Sequence, residues 1–378
     1  MEDKLEFFVV ALPGLEDIVQ AEIAEWYPDL KSEVQHGGVT VYAPLRTGLA
    51  LNLALKTATR ILVRVDEFRA RDFPKLYNKI AKYPWRELID PSVEMTVHVA
   101  TRLSRLKIKK RTEETCSEAF SDYRREQKVT IERGRKASMF VRLIEDECTV
   151  SLDTSGERLH KRGSRQHIGE APLRETIAAA LIQQIGRKHA ALDPREVEII
   201  DPMMGSGTFL LEAAIRDELI DGREFAFENF ATKKVDKPSL KTKRPNISKM
   251  TGFEIDAKTI AAARSNIKAE SQRADFEIFE KDFFKADPLP EAEGRQRWLF
   301  CNPPYGERIK VKEPLTDLYI RLFQAAERVA KPDIACFILP NKVVKGRFPL
   351  PAGWKVIEKR PFLNGGIPVV TFVFGRTT

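Results

Sequence analysis

The sequence contains few cysteines and no cysteine pair at metal-binding spacing. The four thiols belong to Cys116, Cys148, Cys301 and Cys336, and no CxxC motif occurs, so neither a zinc site nor a disulfide framework is expected. No run approaches the ~18 apolar residues that a membrane-spanning helix requires. The acidic, amphipathic N-terminus resembles neither a signal peptide nor a transit peptide. These absences predict a protein of the reducing cytoplasm, without a membrane or a metal partner.

Acidic residues are scarce in two segments of the chain. Residues 101–136 contain 12 Lys and Arg against 6 Asp and Glu, and residues 231–249 contain 7 against 1. Each segment carries a net charge of +6, whereas the whole chain carries +8 and the remainder therefore −4. A basic segment is often only a solvated surface. Two of them on an otherwise acidic chain favour a polyanionic partner, with nucleic acid as the best candidate.

The length of 378 residues predicts two or three domains. Strand-like and helix-like patterns alternate at short range up to about residue 155, which predicts a small α+β region. The predicted strands of this region are 5–10, 39–42, 60–65, 94–99, 140–144 and 148–152, and the predicted helices are 14–27, 46–58, 76–83 and 113–127. From residue 172 onward, helices alternate with short, wholly apolar strands, which predicts an α/β domain with a parallel sheet.

A glycine-containing turn follows the first apolar strand of this second region. The strand ends in Asp201, and Gly205 and Gly207 precede an apolar helix. Glycines at such a turn let the backbone pass close to a ligand, where a Cβ atom would collide. Leu210 replaces the third glycine of a dinucleotide fingerprint, and the Gly-Lys-Ser/Thr of a phosphate loop is missing. The turn is therefore a weak signal for a dinucleotide and none for a phosphate loop.

Acids also stand at the ends of the next two predicted strands. Glu254 follows the strand 249–253 and is placed to bind both ribose hydroxyls of a nucleoside. Asp256 is placed to cap the helix that follows. The third strand, predicted over 278–284, carries Asp282, which can accept from an adenine amino group, and Phe283, which can cover the base.

The fourth predicted strand, 298–301, leads into Asn302-Pro303-Pro304-Tyr305. Two prolines make a stiff turn without backbone donors, so the Asn302 side chain and the Pro303 carbonyl are held as acceptors. The carboxyl end of a parallel sheet is where doubly wound folds bind their ligands. The turn therefore predicts a polar site at that edge.

Together these motifs resemble class I S-adenosylmethionine-dependent methyltransferases that modify exocyclic amino nitrogens. The motifs stand in order as Asp-Pro-Met-Met-Gly-Ser-Gly-Thr at 201–208, Gly-Phe-Glu-Ile-Asp at 252–256 and Asn-Pro-Pro-Tyr at 302–305. The segments 159–165 and 171–176 narrow the resemblance to THUMP-containing guanine-N2 RNA methyltransferases, which act on large-subunit ribosomal RNA or on tRNA. That family implies a Rossmann-like methyltransferase domain preceded by an α+β ferredoxin-like and THUMP RNA-binding region.

The resemblance also implies a division of the chain, a cofactor and a set of site residues. It divides the chain into a ferredoxin-like subdomain (1–65), a THUMP domain (66–155), a linker (156–170) and the methyltransferase domain (171–378). It implies S-adenosylmethionine as cofactor and RNA as partner, with ribosomal RNA favoured over tRNA. The implied cofactor-binding residues are Pro172, Leu173, Arg174, Glu175, Thr176, Asp201, Gly205, Ser206, Gly207, Thr208, Glu254, Ile255, Asp282, Phe283 and Asn302. The implied catalytic residues are Asn302, Pro303 and Tyr305.

The implied reaction needs a well-placed amine rather than a strong base. Asn302 and the Pro303 carbonyl would accept the two hydrogens of the guanine amine, and Tyr305 would stack on the flipped base. The second basic segment is predicted to contact RNA phosphates. Three alternatives remain open: a tRNA guanine-N2 methyltransferase, a DNA adenine-N6 methyltransferase and a non-catalytic RNA-binding factor. Neither the target nucleotide nor the oligomeric state follows from the sequence.

Overall fold

The computed structural model describes residues 4–162, 173–189, 196–232, 234–242, 244–268, 274–306, 313–344 and 350–377. The chain forms two compact units. The first unit comprises Met1–Ala11, Val19–Leu159 and Leu219–Ser239, and the second comprises Leu12–Ile18, His160–Glu218 and Leu240–Thr378. Each unit is built on a seven-stranded sheet.

The first sheet contains the strands from the N-terminal part of the chain. They are β1 (Leu5–Val10), β2 (Lys31–Gln35), β3 (Gly38–Ala43), β4 (Arg60–Arg69), β5 (Glu94–Arg102), β6 (Lys136–Ile144) and β7 (Glu147–Asp153). The helices of this part of the chain are α1 (Glu16–Trp26), α2 (Leu45–Ala54), α3 (Phe73–Ala81) and α4 (Lys109–Glu126). The strand order is β2-β3-β1-β4-β7-β6-β5. Neighbouring strands are antiparallel except for the parallel pair β5–β6.

The six predicted strands and four predicted helices of this region are all found, with ends that differ by a few residues. Burial alternates along β6, where Ala137, Met139 and Val141 are buried between partly exposed neighbours, as expected of a sheet with one covered face. Strand β2 was not predicted, because its Lys-Ser-Glu-Val-Gln sequence is polar and largely exposed. Residue 65, proposed as a domain boundary, lies inside β4.

The second sheet contains the strands from the C-terminal part of the chain. They are β8 (Val197–Asp201), β9 (Ile247–Glu254), β10 (Asp275–Glu280), β11 (Gln296–Cys301), β12 (Ile334–Pro340), β13 (Trp354–Asn364) and β14 (Ile367–Arg376). The helices are α5 (Glu175–His189), α6 (Thr208–Ala214), α7 (Ala257–Lys268), α8 (Leu315–Val329) and α9 (Asn341–Val344). The order is β10-β9-β8-β11-β12-β14-β13, with β8 to β12 parallel and β14 antiparallel to both of its neighbours.

The central strands of this sheet are buried along their whole length. Every residue of β8, β11 and β12 is buried, which confirms the prediction of a parallel sheet covered on both faces. The strand predicted over 278–284 is wrong in its bounds, because β10 ends at Glu280. Asp282 instead accepts a hydrogen bond from the Phe284 backbone at 3.0 Å and starts a short 3-10 turn. The buried Phe283 of that turn imitates the apolar pattern of a strand.

The strand order places a crevice beside β8. From β8 the chain proceeds outward through β9 to β10, and β11 then returns to the other side of β8. The loops after β8 and β11 therefore leave neighbouring strands in opposite directions, and ligands of doubly wound folds bind at this point.

The second basic segment serves the fold in part. Ala231, the first residue of the segment, donates from its backbone to the Leu88 carbonyl at 3.0 Å within the first unit, and Phe227 just before the segment donates to the Thr154 carbonyl at 3.0 Å. In the second unit, Arg244 donates to the Arg216 carbonyl at 2.9 Å and pairs with Asp217 at 3.2 Å. Arg244 thus helps to hold the fold, and its predicted contact with RNA phosphates stays a prediction. Lys233 and Lys243 lie outside the described residues.

Candidate active site

The loop after β8 has the shape of a ligand cradle. Gly205 and Gly207 have φ angles of +55° and +85°, which side chains with a Cβ atom rarely adopt. A Cβ atom on Gly205 would meet no other atom within 4 Å, so the loop is open on that side. The Met204 backbone donates to the Phe253 carbonyl at 3.0 Å and ties the loop to β9. Ser206 and Thr208, on the same loop and at the start of α6, are buried.

Glu254 is held at the cradle by three backbone donors. One carboxylate oxygen accepts from Gly205 at 3.0 Å, and the other accepts from Ile255 and Asp256 at 2.8 and 2.9 Å. Hydrogen bonds to a carboxylate are among the stronger ones in proteins, so the side chain is preorganised at the tip of β9. Asp256 accepts from the Thr259 backbone at 2.8 Å and caps α7, as the sequence predicts.

Asp201 is an acid without a neutralising partner among the described residues. Its side chain is only 2% exposed, and it accepts from the Met203 backbone at 3.1 Å. Burial, aided by the negative charge of Glu254, raises the pKa of Asp201 to about 8, against the opposing effect of the Met203 hydrogen bond. Its carboxyl is therefore mostly protonated at neutral pH and can itself donate a hydrogen bond.

Three further residues predicted to bind the cofactor differ in exposure. The Ile255 side chain is 70% exposed, which leaves an apolar surface available beside Glu254. Asp282 is half-buried and engaged with the Phe284 backbone. Phe283 is 2% exposed and packs edge-on against Phe253, with ring centroids 5.0 Å apart. Phe283 thus belongs to the core below the edge, and its predicted contact with a base stays a prediction.

The starts of α5 and α6 each bring a predicted residue to one pocket. Glu175 and Thr208 line a small pocket together with Asn266 and the buried ion pair between Arg162 and Glu212. Leu173 and Thr176, which are close to Glu175 in the sequence, are buried, and Pro172 lies outside the described residues. The half-buried Arg174 side chain makes no hydrogen bond or ion pair with any residue that the structure describes, which suits the role of a cation for a ligand carboxylate.

The turn after β11 presents two acceptors in different states. Pro303 is buried, and its carbonyl accepts no hydrogen bond within the described part of the chain. The side-chain oxygen of Asn302 accepts from the Tyr305 hydroxyl at 2.5 Å. Tyr319 of α8 donates to the Pro304 carbonyl at 3.1 Å and anchors the turn from below. One of the two predicted acceptors is thus open, and the other is engaged by a neighbouring side chain.

Tyr305 points toward the core rather than away from it. Its ring packs against the apolar cluster of the second unit, and Asn364 at the end of β13 donates to its hydroxyl at 3.2 Å. Burial raises the pKa of Tyr305 further above its ordinary value of 10, so the hydroxyl stays protonated. Base stacking by Tyr305 stays a prediction, and it requires a different orientation of the ring.

Sequence reasoning missed two residues that hold this turn. Tyr319 and Asn364 lie 14 and 59 residues beyond Tyr305 and reach it through α8 and β13. The one available signal was the Gly365-Gly366 pair after Asn364, which is typical of a tight hairpin turn at a sheet end.

Comparison with known families agrees with this arrangement. A family model described as an RMKL-like methyltransferase domain matches residues 162–362, which is more than half of the chain. The chain belongs to this family. A second model, described as the RlmL ferredoxin-like domain, matches residues 6–62. The predicted methyltransferase fold and ferredoxin-like domain are confirmed, whereas the THUMP domain stays a prediction. The chain is a methyltransferase, and S-adenosylmethionine is the cofactor that family membership implies.

The relatives include ribosomal RNA methyltransferases. The chain is 30% identical over 391 residues to the Ribosomal RNA large subunit methyltransferase K/L of Psychromonas ingrahamii, covering 97% of this chain and 49% of that protein. It is 27% identical over 378 residues to slr0064 of Synechocystis, covering 96% of this chain and 94% of that protein. The chain thus spans about half the length of the K/L relatives that it matches and nearly all of the Synechocystis protein.

Solved structures share the fold over the whole chain. The structure of SMU.472 complexed with SAH superposes with a TM-score of 0.79 at 23% identity and covers 100% of both chains. TrmN from Thermus thermophilus superposes with a TM-score of 0.72 at 19% identity and covers 99% of this chain and 100% of its own. At these identities the likeness concerns the fold alone.

Two features, a membrane-spanning helix and a metal-binding cluster, are absent from the described residues. No helix among them is long and apolar enough to cross a membrane. No group of three or more His, Cys, Asp or Glu side chains among them is placed to hold a metal ion.

Proposed function

We propose that this chain transfers a methyl group from S-adenosylmethionine to the exocyclic N2 of a guanosine in large-subunit ribosomal RNA. The observation that carries the proposal is the placement of the Gly205 cradle and the Asn302 turn at the ends of the neighbouring strands β8 and β11. The names of the K/L relatives support ribosomal RNA as the substrate. A ribosomal substrate in a bacterium would place the enzyme in the cytoplasm.

The residues of the second unit fit the proposed cofactor. Open backbone at Gly205 leaves room for the methionine part, and Arg174 offers a cation for its carboxylate. Glu254 is oriented to accept from ribose hydroxyls, and the exposed Ile255 offers an apolar face for the adenine. Bound there, S-adenosylmethionine supplies an electrophilic methyl group.

The chain's own contribution to the reaction is to position and polarise the amine. The N2 lone pair of guanine is delocalised into the ring, which makes it a poor nucleophile. The Asn302 side-chain oxygen and the Pro303 carbonyl would each accept one N–H, so that the nitrogen becomes more tetrahedral and its lone pair points at the methyl group. Correct placement of two reactants can supply up to about 7–11 kcal/mol of barrier reduction. No side chain needs to act as a strong base, because the nitrogen becomes acidic once it is methylated.

The first unit is proposed to bind the RNA. Residues 6–62 match a ferredoxin-like domain, and we assign the remainder of the unit to a THUMP domain. This unit contains the basic segment 101–136, and Lys107, Lys109 and Lys110 of that segment are exposed. Cations on one solvated surface suit a phosphate backbone.

Labelled methyl donor incubated with separate RNA and DNA pools tests the function. We expect label in large-subunit ribosomal RNA, and N2-methylguanosine as the labelled nucleoside after digestion. Labelled tRNA alone would move the assignment to the tRNA alternative, and N6-methyladenine in duplex DNA would refute the guanine assignment. The Asn302→Ala variant serves as the control for a contaminating methyltransferase.

A further inference from the structure

A chain of hydrogen bonds joins the β13–β14 hairpin to the Asn302 turn. The Asn364 side-chain amide donates to the Tyr305 hydroxyl at 3.2 Å, and that hydroxyl donates to the Asn302 side-chain oxygen at 2.5 Å. The hydroxyl therefore occupies the same acceptor that the proposed reaction assigns to the target amine. The Pro303 carbonyl, the other assigned acceptor, receives no hydrogen bond from the described residues.

The hairpin delivers Asn364 on a well-defined element. Asn364 pairs with Ile367 across a two-residue turn, in which Gly365 and Gly366 have φ angles of +59° and +89°. Two consecutive residues at positive φ form the tight turn that matches the twist of the flanking strands. Val369 of β14 lies opposite Pro340, the last residue of β12. The turn thus lies at the carboxyl end of the parallel strands, beside the ligand crevice.

Tyr305 can leave its place without disturbing the proline turn. Its ring packs against the core cluster, so contact with a base requires it to rotate outward. The turn itself is held separately, because Tyr319 donates to the Pro304 carbonyl at 3.1 Å. Asn302 and Pro303 can therefore keep their positions while Tyr305 moves.

We propose that Asn364 is a positioning residue that keeps the Tyr305 hydroxyl on Asn302 until a target amine displaces it. This inference rests on the proposed function. The exocyclic amine of a target base donates one N–H to the Asn302 side-chain oxygen, in place of the Tyr305 hydroxyl, and its second N–H to the Pro303 carbonyl. A base without that amine cannot replace the hydroxyl, so the hydrogen bond between Tyr305 and Asn302 remains. Displacement of the Tyr305 hydroxyl thus favours bases that carry the amine. It also lowers the affinity for every target, because the hydrogen bond from Tyr305 to Asn302 must first be broken.

Steady-state and single-turnover methylation of large-subunit ribosomal RNA by Asn364→Ala test the proposal. Removing one neutral hydrogen bond that competes with the target should lower KM for the RNA about two- to tenfold. The single-turnover rate at saturating RNA and donor should change less than twofold. Gln184→Ala is the matched control, because Gln184 lies on α5 of the same unit, outside both basic segments, and its side-chain amide donates to Glu358 instead. An unchanged or higher KM, or a clear fall in the single-turnover rate, would overturn the proposal.

A double-variant cycle separates positioning from a general effect on the fold. If Asn364 acts through the tyrosine hydroxyl, Asn364→Ala should have no further effect on KM in a Tyr305→Phe background. Independent, additive effects would mean that Asn364 acts by another route, and the proposal would be wrong. Asn364→Leu, which removes the amide donor but keeps the approximate size of the side chain and adds no charge, should lower KM as Asn364→Ala does and replaces it if alanine weakens the hairpin.

A measurement without RNA separates this inference from the proposed function. The chain has seven tyrosines, and in 3-fluorotyrosine-labelled protein the fluorine signal of Tyr305 is identified by its disappearance in Tyr305→Phe. We expect that signal to shift in Asn364→Ala and not in Gln184→Ala. An unshifted signal would overturn the inference even if the RNA is methylated. A shifted signal in a protein that methylates no ribosomal RNA would count against the proposed function alone.

Discussion

A buried aspartate ends a strand in each of the two sheets, and the two are treated differently. Asp153 at the end of β7 is 1% exposed, pairs with the Arg60 guanidinium and accepts from the Ser155 backbone at 2.9 Å. Asp201 at the end of β8 is 2% exposed and has no cationic partner among the described residues. The first sheet therefore pairs its buried acid with a cation, whereas the second has one without a cationic partner among the described residues, at the edge where ligands bind.

The pKa shifts of the groups involved distinguish the two arrangements. Burial, together with repulsion from Arg158 and Arg223, lowers the pKa of Arg60 to about 10, so Asp153 stabilises a cation in an unfavourable place. Nothing comparable among the described residues supports Asp201, whose pKa rises instead. Unpaired buried carboxyls are unfavourable and concentrate at functional sites. The comparison predicts that substitutions in the first sheet affect folding, whereas those at the edge of the second affect chemistry.

The largest expected effect is at Asn302, one strand away from Asp201. Asn302→Ala removes one of two acceptors for the amine and leaves the proline turn and the cradle in place. Removing such a preorganised acceptor typically lowers turnover by about 10²–10³. Single-turnover methylation with saturating donor and RNA measures this step apart from binding. If the rate stays within a few-fold of that of the unmodified chain, Asn302 only shapes the turn. The expectation that substitutions at the edge of the second sheet affect chemistry would then be wrong.

The two aspartates themselves provide the next test. Asp153→Asn leaves the half-buried Arg60 without its counter-charge and should lower the free energy of unfolding by about 3 kcal/mol. Asp201→Asn replaces a carboxyl that is already mostly protonated, so it should have little effect near pH 4 and should stabilise the protein at pH 7. Chemical denaturation of both variants at the two pH values measures the difference. Equal losses of stability for both variants would show that the two acids play the same role.

The pH dependence has a definite sign. The pKa of Asp201 is raised in the folded state, so its contribution to stability is fully present below about pH 4 and is lost as the pH rises toward 8. The slope for one such group is about 1.4 kcal/mol per pH unit. Between pH 5 and pH 7 the chain should therefore lose roughly 2–3 kcal/mol that Asp201→Asn retains.

Glu254→Ala should produce a smaller effect that is confined to the cofactor. Removing the carboxylate, together with the backbone hydrogen bonds that it accepts at the cradle, should weaken S-adenosylmethionine binding about ten- to hundredfold. RNA affinity should remain nearly unchanged, because the proposed RNA surface belongs to the first unit. Calorimetry with the donor and a separate RNA titration give the two constants. An unaltered donor constant would contradict the assignment of Glu254.

The smallest expected effect is that of neutralising exposed lysines in the two basic segments. Lys107, Lys109 and Lys110 in the first segment, and Lys234, Lys237 and Lys241 in the second, are exposed. Neutralising the first set should flatten the salt dependence of RNA binding by about 0.7–0.9 in log–log slope for each phosphate that the protein no longer neutralises. The second set should matter less, since Arg244 beside it is committed to Arg216 and Asp217. The reverse result would place the RNA on residues 231–249.

Local motifs were predictable from the sequence, and interactions between distant segments were not. The cradle, Glu254 and the Asn302 turn each depend on neighbouring residues, so glycine and proline chemistry sufficed to identify them. Asn364 reaches Tyr305 only through the strand order of the finished sheet. The end of β10 was misjudged because Phe283 is apolar for the sake of core packing after the strand has ended. The proposed domain limits and the roles of the site residues stay predictions.

The membership of residues 219–239 in the first unit has a consequence for synthesis and for grafting. A ribosome releases the β6–β7 hairpin well before it releases Phe227 and Ala231, whose backbones satisfy the carbonyls of Thr154 and Leu88. The nascent first unit must therefore wait for a later part of the chain to complete its hydrogen bonds. A chimera that exchanges residues 1–159 between relatives would pair these carbonyls with foreign donors, so an exchange of specificity should carry residues 219–239 along with the front of the chain.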